Sequence, residues 1–184
     1  MNFKIESEGK VSQEFLKNSI FDFNSACNFI ASLPYKRNED KNNLLCVFIE
    51  KVGTCSTKHA ILRKLAIENN RNEVKLILGI FKMDAEYNSK IEKTLKKYNI
   101  DYIPEAHNYL KINNKYFDFT LPNAKYDDVK SKLLEEKEIE FDQINSEKIF
   151  LHKKFLENWI EKNSTYDLEE VWKIREQCIH DLQN

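Results

Sequence analysis

The stretch GTCSTKHA, residues 53 to 60, joins a glycine, a cysteine, hydroxyl side chains and a histidine in a chain with only three glycines. An amphipathic run follows, with Ala60, Ile61, Leu62, Leu65, Ala66 and Ile67 at helical spacing, so the pattern predicts a helix from about Cys55 to Glu68. Cys55 then sits in its first turn, where backbone N–H groups and the helix dipole stabilise a thiolate that is otherwise scarce at neutral pH. Gly53 gives other groups close approach to the backbone and access to φ values a side chain forbids. Thr54 suits the N-cap, and Ser56 lies beside the thiol. Cys27 and Cys46 lie in an amphipathic helix and an apolar run, and both read as small buried hydrophobes.

A nucleophilic thiol needs a base to hold its proton. Among His59, His107, His152 and His180, His107 has an aspartate to orient it. AHNYLKI and KYFDFT flank Asn113-Asn114, which predicts a hairpin over 106 to 120. In that register Ile112 faces Lys115, Tyr109 faces Asp118 and His107 faces Thr120, so His107 and Asp118 are diagonal neighbours on one face. A carboxylate bonded to an imidazole fixes its tautomer and stabilises the imidazolium. His59, four residues after Cys55, shares a helix face with it and reads as a packed bystander. Glu105 and Tyr109 flank His107 and are placed as site-lining residues, although a strand-end carboxylate is ordinarily solvated. His152 and His180 sit in helical patterns as surface or boundary residues.

The elements that must position these groups follow from periodicity. Residues 25 to 33 read as a helix stopped by Pro34, 35 to 43 as a polar loop, 74 to 83 as a buried strand and 89 to 98 as a short amphipathic helix. LLCVFIEK, 44 to 51, fits a buried strand or a short helix equally. Beyond Pro122 the chain is heavily charged with helical periodicity, in VKSKLLEEKE, EKIFLHKKFLENWIEKN and TYDLEEVWKIREQCIHDL. The expected class is therefore α+β in a single domain over 1-184, with a core at 20-125 and a helical C-terminal extension at 126-184.

Lysine and arginine number 29 against 30 acids, so no net basic field is available to hold nucleic acid. No apolar run is long enough for a bilayer and no signal segment is recognisable, which places the expected location in the cytoplasm with no membrane partner. Four cysteines without CxxC spacing read as reduced thiols.

The order GTCSTKHAILRKLA, VKLILGIFKM, EAHNYLKINNKYFDFT resembles the transglutaminase-like superfamily of papain-like cysteine enzymes, over about residues 53 to 120. The resemblance implies a cysteine-bearing helix packed on a small antiparallel sheet, with Cys55, His107 and Asp118 as catalytic triad. Phe119 stands where the family often has proline, and the segment 84 to 104 is long. The family's oxyanion site pairs the cysteine N–H with an upstream Trp or Gln side chain. Here Trp159 and Trp172 are both downstream, and Gln13 is the only upstream glutamine.

The expected activity is cysteine-dependent amide or acyl transfer (protease, deamidase or transglutaminase-like hydrolase) through a thioester, on a peptide or protein amide and without a metal or cofactor. Two alternatives use the same residues: a non-catalytic interaction module on this fold, and a metal site built from Cys55, His59, His107 and Asp118.

Overall fold

The computed structural model describes residues 2 to 183. It is an α+β fold around a four-stranded antiparallel sheet of order β3-β2-β1-β4. The helices are α1 (Lys10–Lys17), α2 (Phe23–Ser32), α3 (Cys46–Glu50), α4 (Cys55–Glu68), α5 (Glu92–Lys97), α6 (Asp127–Lys130), α7 (Ser146–Asn163) and α8 (Leu168–Gln183). The strands are β1 (Val74–Asp84), β2 (Tyr102–Ile112), β3 (Lys115–Phe117) and β4 (Leu133–Ile139). No helix among the described residues is long and apolar enough to cross a membrane.

The sheet divides the core. Leu76, Leu78 and Ile80 of β1 and Ala106, Leu110 and Ile112 of β2 pack with α1, α2 and α4. Phe81, Met83 and Ile103 pack instead with residues of α5, α7 and α8, including Leu95, Leu156, Trp159, Val171 and Ile174. Alternate strand positions thus serve two apolar layers, as a sheet covered on both faces requires. The first ten residues of α4 include nine with buried positions from Cys55 to Arg63, so this helix is enclosed nearly all round. Only a central core helix is wrapped in that way.

Local chemistry explains the boundaries. Asp22 caps α2 by accepting the Ser25 N–H at 3.1 Å. Asn113 and Asn114 both take left-handed φ, 48° and 63°, which a two-residue hairpin turn demands and asparagine tolerates. LLCVFIEK resolves as α3, and 89 to 98 as a single 3-10 turn running into α5.

Three expectations are corrected. VKSKLLEEKE is a helix only over Val129 and Lys130, which end α6; from Leu133 it becomes β4, pairing antiparallel with β1 and keeping its charged residues on an exposed outer edge. Lysine and glutamate mimic a helical surface in sequence, but on an edge strand they also discourage further pairing. The hairpin is shorter than expected: Leu110 faces Phe117, and the pairings of Tyr109 with Asp118 and His107 with Thr120 do not form. Past Phe117 the backbone polar groups leave the ladder for α4, the Phe119 N–H donating to His59 Nε2 and the Thr120 carbonyl accepting from Lys58 Nζ. Finally, His152 is buried rather than at the surface, bonded through Nε2 to the Pro104 carbonyl at 2.8 Å.

Gly79 sits opposite His107 in the β1–β2 register, and a Cβ there would meet Tyr109 Oη at 2.7 Å and Leu133 Cδ1 at 3.1 Å. Strand propensity alone favours alanine over glycine, but close packing here reverses the sign. Gly79→Ala is expected to cost about 1 to 3 kcal/mol, read as a lower urea midpoint at unchanged slope. A midpoint equal to or above wild type would contradict this account of the Tyr109 contact.

Candidate active site

Cys55 opens α4 with Thr54 as N-cap, and the Thr57 hydroxyl accepts the Thr54 N–H at 3.0 Å, tying the cap to the first turn. Because β3 ends at Phe117, the edge of β2 is open beside this turn. His107 and the backbone N–H of Asn108 face the Cys55 sulfur from that edge, and each lowers its pKa. On its other side His107 Nε2 meets Asp118 Oδ2 at 2.7 Å, which leaves Nδ1 for the thiol. Asp118 Oδ1 accepts the Thr120 N–H at 2.8 Å. Cys55, His107 and Asp118, separated by fifty-two and eleven positions in sequence, are therefore brought together, with His107 between the thiol and the carboxylate.

A fourth group enters from α7. Lys148 Nζ lies 3.8 Å from Cys55 Sγ and donates to Ser56 Oγ at 2.8 Å and Asn108 Oδ1 at 2.7 Å. Burial by itself would raise the thiol pKa; the charges of Lys148 and then His107 outweigh it and bring the group down to about 6. Burial likewise disfavours the His107 imidazolium, but the thiolate and Asp118 reverse the balance and raise it to about 10. Asp118, also resisted by burial, is held well below the usual carboxylate range by His107. Both directions favour thiolate and imidazolium over the neutral pair. The other thiols move the opposite way, burial pushing Cys46 to about 11 and Cys178 to about 12.

His59 does more than pack. Its Nδ1 lies 2.7 Å from the Cys55 carbonyl and so carries the proton, while Nε2 accepts the Phe119 N–H at 2.8 Å. Burial pushes its pKa down to about 4, which keeps it neutral in that tautomer. One ring thus links the Cys55 carbonyl to the backbone next to Asp118. The adjacent Lys58, fully buried, donates to the Leu33 and Thr120 carbonyls. Both ring nitrogens of His59 being engaged, it has no lone pair to offer a cation shared with Cys55. Among the described residues no group of three or more His, Cys, Asp or Glu is arranged to hold a metal ion.

The remaining expected residues fall in different places. Thr54, Ser56 and Glu105 line, with Cys55, a cavity of about 550 Å³ closed on its far side by α7 and α8. Glu105 is buried rather than solvated, gripped by Arg175 of α8 through both carboxylate oxygens. Tyr109 is fully buried and donates its hydroxyl to Glu136; its ring centroid is 6.1 Å from that of His107. Gly53 is not in the left-handed region and does not border the cavity; a Cβ there would press on Lys58 Cγ at 3.0 Å and on Thr57 and Val47 at 3.1 Å. Its role is close packing beneath the helix start. Gln13, on the exposed face of α1, donates to the Ser7 carbonyl at 3.2 Å and does not reach the cavity.

Asn108, Lys58 and Lys148 were not singled out from the sequence. Lys58 had a detectable signal, since a lysine inside a helix buried on all sides needs internal acceptors. Lys148 had none, being one of many lysines on charged helices.

The thiol's pKa is depressed, so thiolate is lost only as pH falls through about 6, and His107's is raised, so imidazolium is lost only as pH rises through about 10. Alkylation of Cys55 by iodoacetamide should therefore already be fast at mildly acidic pH, half-maximal near pH 6, whereas Cys46 and Cys178 respond only in alkali. Peptide mapping across a pH series checks this; a Cys55 profile centred near the ordinary thiol value would remove the ion pair.

No protein-family model, curated protein or solved structure matches this chain.

Proposed function

We propose that the protein is a cysteine-dependent amide or acyl-transfer enzyme acting through a thioester on Cys55. The observation that carries this reading is the placement of His107 between Cys55 and Asp118, its Nε2 bonded to the carboxylate at 2.7 Å, with the sulfur bordering a cavity. A cysteine at the head of a core helix, against an antiparallel sheet whose neighbouring segments carry the histidine and the aspartate, supports a papain-like, transglutaminase-like core. Peptide or protein amides are the proposed substrates.

The chemistry follows from charge. The Cys55 thiolate attacks the carbonyl carbon, forming a C–S bond while the carbonyl π pair moves onto oxygen. The oxyanion takes the Cys55 backbone N–H, and Lys148 stands in for the side-chain donor that no upstream residue supplies. As the tetrahedral species collapses, His107 delivers its proton to the leaving nitrogen and the C–N bond breaks. Water or an amine, deprotonated by the now neutral imidazole, then cleaves the thioester. Asp118 keeps the imidazole oriented throughout.

An active ester tests the reading without knowledge of the natural substrate. With p-nitrophenyl acetate the protein should release a burst of nitrophenolate stoichiometric with enzyme and carry an acetyl group on the Cys55 peptide. Cys55→Ser should abolish the burst, and His107→Ala or Asp118→Asn should slow acylation by on the order of 10² to 10⁴-fold. Acetylation spread over lysines, or a burst indifferent to His107, would refute the triad.

A further inference from the structure

The cavity beside Cys55 carries six charged side chains, Arg37, Lys41, Lys148, Arg175, Glu105 and Glu176. The two arginines are spoken for: Arg37 pairs with Glu176 at 2.7 Å, and Arg175 grips Glu105 and also meets Glu176. Lys148 faces the thiolate, Ser56 and Asn108. That leaves Lys41, whose ammonium has neither a hydrogen bond nor an ion pair among the described residues although it is half-buried in the cavity wall. Its loop is not loose, because Asn145 at the start of α7 donates to the Lys41 carbonyl at 3.4 Å and to Asn42 Oδ1 at 2.9 Å. Burial first, then the like charges of Lys148 and Arg37, holds the Lys41 ammonium below the ordinary lysine range. A tethered, unpaired cation pressed toward other cations is stable only at a cost that an anion would relieve.

The reaction sharpens the imbalance. Before acylation the thiolate partly offsets Lys41 and Lys148. In the thioester the sulfur is neutral and the His107 proton has left with the amine, so both ammonium groups face an uncharged sulfur. Ile144, Ile149, Trp172 and Ile179 supply an apolar floor around them.

We infer that the acyl half of the substrate carries a free carboxylate, a few bonds from the reacting carbonyl, that pairs with Lys41 in this cavity. The inference rests on the proposed cysteine chemistry and specifies what that chemistry acts on. A carboxylate there neutralises Lys41 in the bound state and remains in place through the acyl-enzyme.

N-iodoacetylglycine and N-iodoacetylglycinamide differ only in a carboxylate at the end distant from the carbon that sulfur attacks. In each the Cys55 sulfur displaces iodide, forming one C–S bond and breaking one C–I bond. Cys55 of the full chain should be alkylated about tenfold faster by the carboxylate reagent, the size expected of one close charge pair. The ratio should fall to unity or below in Lys41→Met and Lys41→Gln, persist in Lys41→Arg and in the solvent-face control Lys17→Met, and shrink as salt is raised. Equal or slower reaction of the carboxylate reagent with wild type, or a ratio that survives loss of the Lys41 charge, overturns the inference. Iodoacetamide separates this from failure of the underlying reading. If Cys55 reacts with it no faster than Cys178, the nucleophile and the inference fall together, whereas fast iodoacetamide reaction without carboxylate preference overturns the inference alone.

Discussion

The structure around the site depends on keeping one carboxylate charged while almost out of water. The Asp118 side chain is only 5 % exposed, and burying an uncompensated carboxylate would neutralise it or unfold its surroundings. Its compensation comes from three directions: the His107 imidazolium at 2.7 Å, the Thr120 N–H at 2.8 Å, and the positive charge of Lys58 nearby. Each requires the 118 to 120 segment to leave the sheet. That is why β3 stops at Phe117, and its early end exposes the Asn108 N–H to the sulfur. The carboxylate and the thiolate are therefore products of the same interruption in one hairpin.

Helix α4 enforces that interruption with consecutive side chains. Thr57 accepts the cap N–H, Lys58 donates to Thr120, His59 accepts from Phe119 and returns a bond to the Cys55 carbonyl. Ser56 reaches across to Asn108 at 3.1 Å. In a helix buried all round an unpaired polar group is costly, and although Arg63 Nε has no partner among the described residues, these four side chains are fixed by the same pressure that packs Ile61, Leu62 and Leu65. The polarity of GTCSTKHA is thus structural in origin even where it serves the thiol. His59 belongs to this scaffold, holding the Cys55 turn and the Asp118 turn at a fixed separation.

Helix α4 was legible in sequence to the residue, because its apolar spacing and its Thr54 cap agree with its packing. The strand β1 and the Asn-Asn turn also follow from local pattern; His107 does meet Asp118, but through a segment that has left the sheet and not by the diagonal pairing the pleat suggests. What could not be read depends on partners distant in sequence. Leu133–Ile139 shows helix-like charge spacing because only one side of it is satisfied, by β1. The end of β3 depends on side chains sixty positions away, and the two-fold pleat carries no sign of them. Gly53 invited an explanation by exposure, while its neighbours Lys58, Thr57 and Val47 show a packing constraint.

The C-terminal helices are the clearest case of a contribution to the candidate site hidden by composition. Read alone, their charged faces look like solvated surface over a core. In the fold Lys148 delivers the charge that does most to bring the thiol down against burial, and Arg175 neutralises Glu105 on the cavity wall. A helix N-terminus and an imidazole at 5 % exposure of the cysteine must work against the same desolvation that raises Cys27, Cys46 and Cys178. What distinguishes Cys55 from those three is the convergence of two cations from separate elements, β2 and α7, on one sulfur. The thiolate is therefore a property of the assembled chain and not of the motif that carries it.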